Sequence, residues 1–254
     1  MTVGFYVTYA VARDAHGRAT IPTEYSHALT NARHVISAEK QLHVGGEHTL
    51  QVAALHAGWL VRSANVFYGS AHFIVTAVVL VWLYRRQPDR YRRWRTILAI
   101  GTGVALVGFI VYPVLPPRML PASYGFEDTL HSLGGLWSFN SGVVEHISDP
   151  FAAMPSLHLC WATWCTAVLV PGLRHRWSKA LAISYPIVTA VVVVVTGNHY
   201  LLDLVGGVAC LAIGVWVSAL FPVYRRGEGD GEPDRLARPK RPTLRPAPVL
   251  QQTP

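Results

Sequence analysis

Hydrophobic residues in this chain are gathered into blocks, and the blocks are about as long as a bilayer is thick. Residues 66–84, 96–115, 180–197 and 201–221 are each apolar over a length close to the ~20 residues that a membrane-crossing helix needs. Residues 157–171 form a fifth, shorter block between Pro155 and Pro171. The run Val191–Val195 has the composition of a strand. An open sheet edge would leave backbone groups unsatisfied in hydrocarbon, so helix is expected there too.

Before these blocks, residues 24–62 mix polar and apolar positions at helical spacing, which predicts one or two amphipathic helices at the interface. Glu47, His48 and Gln51 interrupt any full span. Residues 3–12 are apolar but too short to cross, and are expected to form a short or truncated first membrane helix. Ala10-Val11-Ala12 has the form of a signal-peptidase site, with no basic stretch ahead of it. The segment after Pro222 is rich in Gly, Pro and charge, and is expected to be disordered. The expected fold is all-α: a polytopic membrane helix bundle of about six transmembrane helices. Its parts would be a partial first helix with interfacial helices (1–65), a membrane-embedded bundle (66–222) and a disordered basic tail (223–254).

Composition agrees with this reading. Charged residues make up 14% of the chain, against about 25% in soluble domains. The net charge of +8 comes from arginines between the apolar blocks and in the tail. No aromatic-interleaved basic stripe or helix-turn-helix pattern accompanies them, so nucleic acid is not an expected partner. The basic residues of 85–95, then Arg174, Arg176 and Lys179, then Arg225 and Arg226 alternate with poorly basic segments. The positive-inside rule places these basic segments and the C-terminus in the cytoplasm. Residues 113–156 and 198–200 then share the extracytoplasmic face. In the longer segment Arg118 is the only lysine or arginine, beside the acidic Glu127, Asp128, Glu145 and Asp149. Cys160, Cys165 and Cys210 sit singly in apolar runs, so they read as buried small hydrophobes.

The residues with chemical potential lie at the ends of three helices on that one face. Tyr112-Pro113-Val114-Leu115-Pro116-Pro117-Arg118 stops the second span and holds an arginine at the surface. Arginine suits two phosphate oxygens, although alone it reads better as a snorkelling side chain at a helix end. Pro155-Ser156-Leu157-His158 starts a helix with Ser156 as N-cap, and free N–H groups there suit an anion. Alone, His158 would be an interfacial histidine. In Asn198-His199-Tyr200-Leu201-Leu202-Asp203 the histidine and aspartate are four apart and share a helical face. The carboxylate can fix the imidazole tautomer and leave the other nitrogen as nucleophile or base. An ionisable group such as Asp203 inside an apolar helix is costly, which favours function over a structural pair. An anion clamp with two imidazoles is equipment for phosphoryl transfer.

Pro155-Ser156-x-His158 and His199-x-x-x-Asp203 resemble two signatures of the type 2 phosphatidic acid phosphatase superfamily, which includes the vanadium haloperoxidases. Tyr112-Pro-x-x-Pro-Pro-Arg118, Phe151-Ala-Ala-Met-Pro-Ser-Leu-His158 and His199-Tyr-Leu-Leu-Asp203 are more similar to its inositol phosphorylceramide synthase branch, as are Asn65, Tyr68 and His72. The resemblance runs from about Glu39 to Gly207. It implies a six-helix core and a phosphohistidine intermediate on His199, oriented by Asp203. His158 would be the general acid, and Arg118, Ser156 and the backbone near Leu157 would hold the phosphate. Tyr112, Tyr200, Asn198, His72 and Tyr68 would stand around the site, the last two as packing groups or as contributors. The substrate would be a lipid phosphate or phosphodiester in the plasma membrane. The acceptor would be water or an alcohol such as inositol, with no cofactor.

Two positions depart from the family pattern. Pro-Pro-Arg118 replaces a lysine and an Arg-Pro pair, and Val193 stands where an arginine usually precedes the nucleophile by six residues. Three other readings are a lipid-binding or transport protein, a metalloenzyme and an inactive family member. The apolar midplanes of the spans oppose the first. The second has 12 histidines to draw on, including the neighbouring His43 and His48, but no HExxH or paired His/Cys spacing. The intact His158, His199 and Asp203 oppose the third.

Overall fold

The computed structural model describes residues 21–134 and 151–220. The expected short first membrane helix, the tail, Glu145 and Asp149 lie outside the described residues. Within them the chain forms α1 (Ile21–Gln41), α2 (Glu47–Leu55), α3 (Gly58–Arg86), α4 (Pro88–Val111), α5 (Thr129–Ser132), α6 (Leu157–Leu169), α7 (Arg176–Val195) and α8 (Leu201–Leu220). Helices α3, α4, α7 and α8 are long and apolar enough to cross a membrane, and α6 with the turn through Gly172 is a shorter apolar helix. The all-α membrane bundle is therefore the observed architecture, and the valine run is helical.

The basic stretch 85–95 differs from its expected loop. Helix α3 runs on through Arg86, a single residue turns the chain, and α4 begins at Pro88. Arginine is a good helix former, and proline at the first helical position lacks only an N–H that would be unpaired there. Gln87 closes the junction by donating its N–H to the Leu83 carbonyl (2.9 Å) and accepting from the N–H groups of Arg90 and Tyr91 (both 3.1 Å).

The core lies between α3, α4, α6 and α8. Leu83, Ile97, Trp164, Cys165, Val168 and Cys210 are buried there together. The two indoles are satisfied inside it: Trp161 donates to Thr102 Oγ1 (3.0 Å) and Trp164 to the Trp94 carbonyl (2.9 Å). All three cysteines are free and buried. Helix α7 contains Pro186, which removes the N–H that would bond the Ala182 carbonyl. Thr166 of α6 takes its place, donating its hydroxyl to Ala182 O at 2.6 Å.

The amphipathic segment forms α1 and α2 and does more than lie at an interface. Ala28, Ala32 and Val35 are buried against Val114, Leu115, Ala153 and Tyr200. Asn31 donates to the Pro113 carbonyl (2.8 Å) and Leu115 N–H to the Ala28 carbonyl (3.2 Å). The 113–134 segment is pinned beneath this cover. Gln51 bonds both backbone groups of Glu127 (2.9 and 3.0 Å). Asn65 donates to the carbonyls of Thr129 (2.8 Å) and Gly134 (3.0 Å).

Candidate active site

His158 is placed by the start of α6. Ser156 is the N-cap, accepting the Leu159 N–H at 3.4 Å. Its own N–H donates to the Asp203 carbonyl (2.9 Å), which ties α6 to α8. The two helices approach so closely that a Cβ on Gly207 would overlap the Ser156 carbonyl oxygen, a backbone atom that cannot step aside. Gly207→Ala should therefore lower stability by about 1–3 kcal/mol through overpacking. It should also cut turnover more than tenfold, because the shift falls on the turn that carries His158. Thermal unfolding and activity in detergent check both effects.

His199 is placed by the end of α7. Gly197 takes φ 70°, a left-handed conformation natural to glycine. Gly197 N–H then donates to Val194 O (2.9 Å) and Asn198 N–H to Val193 O (3.0 Å), a Schellman closure. Val193 thus contributes its carbonyl to the turn that aims His199, while its side chain is fully buried.

The imidazole of His199 has Nδ1 2.7 Å from the Ala153 carbonyl and 3.3 Å from Asp203 Oδ2. A carbonyl can only accept, so Nδ1 carries a proton, which leaves Nε2 as the nitrogen that bears the lone pair in the neutral ring. The shorter contact is to the carbonyl, so Asp203 shares a role that the i, i+4 spacing assigned to it alone. Asp203 Oδ2 also accepts the Tyr200 N–H at 2.8 Å. The two histidine rings face each other edge to plane, with centroids 5.7 Å apart. Nε2 of His158 and Nε2 of His199 are both buried, and neither has a hydrogen-bond partner among the described residues.

Arg118 is held against the turn just before His199. Its N–H donates to Gly197 O (2.8 Å), its Nε to Asn198 Oδ1 (3.0 Å) and Nη1 to Asp128 Oδ2 (3.2 Å). The guanidinium is thereby braced between Asp128 and Asn198, the residue before the histidine. Asn198 also donates to Thr196 Oγ1 (2.8 Å). Leu157 is the first residue of α6, with its side chain packed near Leu106 and Phe109. Tyr68 stacks on His158 (4.2 Å, 22°) and His72 meets the same ring edge-on (4.2 Å). His72 Nδ1 lies 3.0 Å from the Tyr68 carbonyl, which fixes its proton there. Tyr200 is buried and donates its hydroxyl to Leu115 O (2.9 Å), a structural tie. Tyr112 packs in the cluster under α1.

Several contributors escaped the sequence reading: the Ala153 carbonyl, Asp128, Gln51, Glu39 and Glu47. The last two come from the amphipathic segment and cap α8. Glu47 Oε1 accepts the Leu201 N–H (3.1 Å) and Glu39 Oε1 the Leu202 N–H (2.9 Å). With Asp203 on Tyr200 N–H, three acidic side chains accept from the free N–H groups at the N-terminus of α8. A signal for Glu39 existed, since it continues the buried stripe Ala28, Ala32, Val35 on α1.

Burial, aided by the neighbouring Glu47 and Asp203, holds the Glu39 carboxyl up at about 7, from an ordinary 4.5. The fold thus favours the protonated acid. That contribution to stability is complete below pH 4.5 and is lost as pH rises to about 7. Melting temperature should fall across this window in the wild type. Glu39→Gln, which keeps the capping oxygen, should flatten the fall.

Among the described residues no group of three His, Cys, Asp or Glu side chains is arranged to hold a metal. Fold and site together define an all-helical membrane protein with a two-histidine centre at one end of the bundle. The chain belongs to the PAP2 superfamily, whose model matches residues 33–217. No curated protein and no solved structure matched it.

Proposed function

We propose that this protein is a membrane phosphatase or phosphotransferase acting on a lipid phosphate or phosphodiester through a phosphohistidine. The observation that carries this reading is the pair of buried imidazoles with unpartnered Nε2 atoms, one of them proton-fixed on Nδ1. In the first step His199 Nε2 attacks phosphorus in line. The bond from phosphorus to the leaving oxygen breaks, and His158 gives that oxygen a proton. In the second step His158 takes a proton from water or an alcohol, whose oxygen attacks phosphorus. The P–N bond breaks and His199 is restored. Arg118, Ser156 and the backbone at Leu157 hold the phosphate oxygens, and Asp203 supports the ring of His199. The negative charge of the phosphate itself is the counter-charge for a protonated His158.

The basic segments at the opposite ends of the spans support an extracytoplasmic site and a cytoplasmic C-terminus. The similarity of the Arg118 segment to the inositol phosphorylceramide synthase branch supports an alcohol acceptor such as inositol. Purified protein incubated with phosphatidate, or with a phospholipid and inositol, should release phosphate or form an inositol-phosphate lipid, read by mass spectrometry. Activity should persist in chelator. Absence of any turnover, or loss in chelator restored by a divalent metal, contradicts the reading.

A further inference from the structure

Positive charge is scarce around the two histidines. From Thr96 to Leu173 the sequence contains a single lysine or arginine, Arg118, and from Ala180 to Tyr224 it contains none. Helices α1 and α3 add Arg33, Lys40 and Arg62, all of them exposed. Val193 is a fully buried valine, so α7 brings no cation to the turn before His199. Arg118 in turn is already paired. Its Nη1 lies 3.2 Å from Asp128 Oδ2, with the arginine side chain 11% exposed. The other carboxylate oxygen, Oδ1, accepts the N–H groups of Leu130 (3.2 Å) and His131 (3.3 Å), which fixes Asp128 in its place.

Asp128 is not needed to hold the arginine in position. The Arg118 N–H on Gly197 O and its Nε on Asn198 Oδ1 are contacts to neutral groups that would do so without it. What the carboxylate adds is charge: it offsets the positive charge that Arg118 would offer an anion. A phosphodiester has one negative charge, whereas a phosphomonoester has nearly two near neutral pH. The second charge gains little from a paired arginine and is repelled by the carboxylate paired with it. We infer that Asp128, acting through Arg118, sets the charge state of the phosphate that this site accepts, favouring the monoanion of a diester over the dianion of a monoester. The inference rests on the proposed role of Arg118 in holding phosphate and adds a residue that decides between the two substrate classes.

Asp128→Asn isolates the charge, because asparagine caps a helix as well as aspartate and can still accept from Leu130 and His131. The probes are dioleoyl phosphatidate and dioleoyl phosphatidylmethanol, which share their tails and differ by one methyl group and one charge. The full chain in detergent is assayed for KM with a lipid that it turns over, and for Ki with one that it does not. Asp128→Asn should tighten phosphatidate about fivefold relative to phosphatidylmethanol, the worth of one more unit of charge at a partly exposed site. Asp128→Glu, which keeps the charge, should leave that ratio as in the wild type. A ratio unchanged in Asp128→Asn, or both lipids weakened equally, makes Asp128 a structural cap and overturns the inference while leaving the activity standing. Arg118→Gln checks the reading beneath it and should weaken both lipids. Both lipids held at wild-type strength by Arg118→Gln would remove Arg118 from the phosphate site, and this inference with it. A wild type that neither turns over nor binds either lipid removes the proposed activity and the inference together.

Discussion

His199→Ala is expected to reduce turnover of a lipid phosphate by at least about a thousandfold, with the protein still folded. Removing a covalent nucleophile takes away the step that divides the reaction in two, and losses of that order or larger follow when such a group is deleted. The size of the effect follows from the geometry. His199 Nε2 is buried without a partner, and the opposite nitrogen is committed to Ala153 and Asp203. Melting temperature should change little beyond the loss of those contacts, so activity and stability separate. Asp203→Asn is expected to be milder than His199→Ala, because the Ala153 carbonyl still holds the Nδ1 proton.

The second large effect is expected at His158, and it depends on the leaving group. General acid catalysis contributes about 10²–10⁴-fold, so His158→Ala should lose that much on substrates with an alkoxide leaving group. A nitrophenolate needs no proton to depart. On nitrophenyl phosphate the variant should release a burst of product equal to the enzyme present and then turn over slowly, since the second step still needs a base. A uniform loss on both substrates, without a burst, would assign His158 to packing with Tyr68 and His72.

The spans were legible because hydrocarbon demands continuous apolar runs, and those runs are visible directly. Their ends were less so. The basic stretch 85–95 reads as a loop by charge, yet arginine propagates a helix and Pro88 can begin one, so α3 and α4 meet across Gln87 alone. At the site, Ser156 as N-cap and the shared face of His199 and Asp203 follow from local spacing. The Ala153 carbonyl is a backbone group 46 residues from His199, and no spacing rule reaches it. The closure around Gly197 and the close approach at Gly207 depend on how α6, α7 and α8 pack. Glu39 and Glu47 were hidden by a pattern that amphipathic interfacial helices share with helices folded over a site. The arginine absent at Val193 leaves a turn-forming carbonyl in its place. Arg118 is braced by Asp128 and Asn198 from segments that the sequence separates.

The central claim is that phosphorus becomes bonded to His199, and it can be seen directly. Protein mixed with a phosphorus-labelled lipid phosphate should be quenched in alkali, digested and searched for labelled peptides. Label on the peptide containing His199, stable in alkali and lost in acid as a P–N bond requires, is the predicted result; it should be absent in His199→Ala, and enriched in His158→Ala when the label is supplied as nitrophenyl phosphate. Turnover that proceeds with no labelled protein in either the wild type or His158→Ala, or label that persists in His199→Ala, would contradict it.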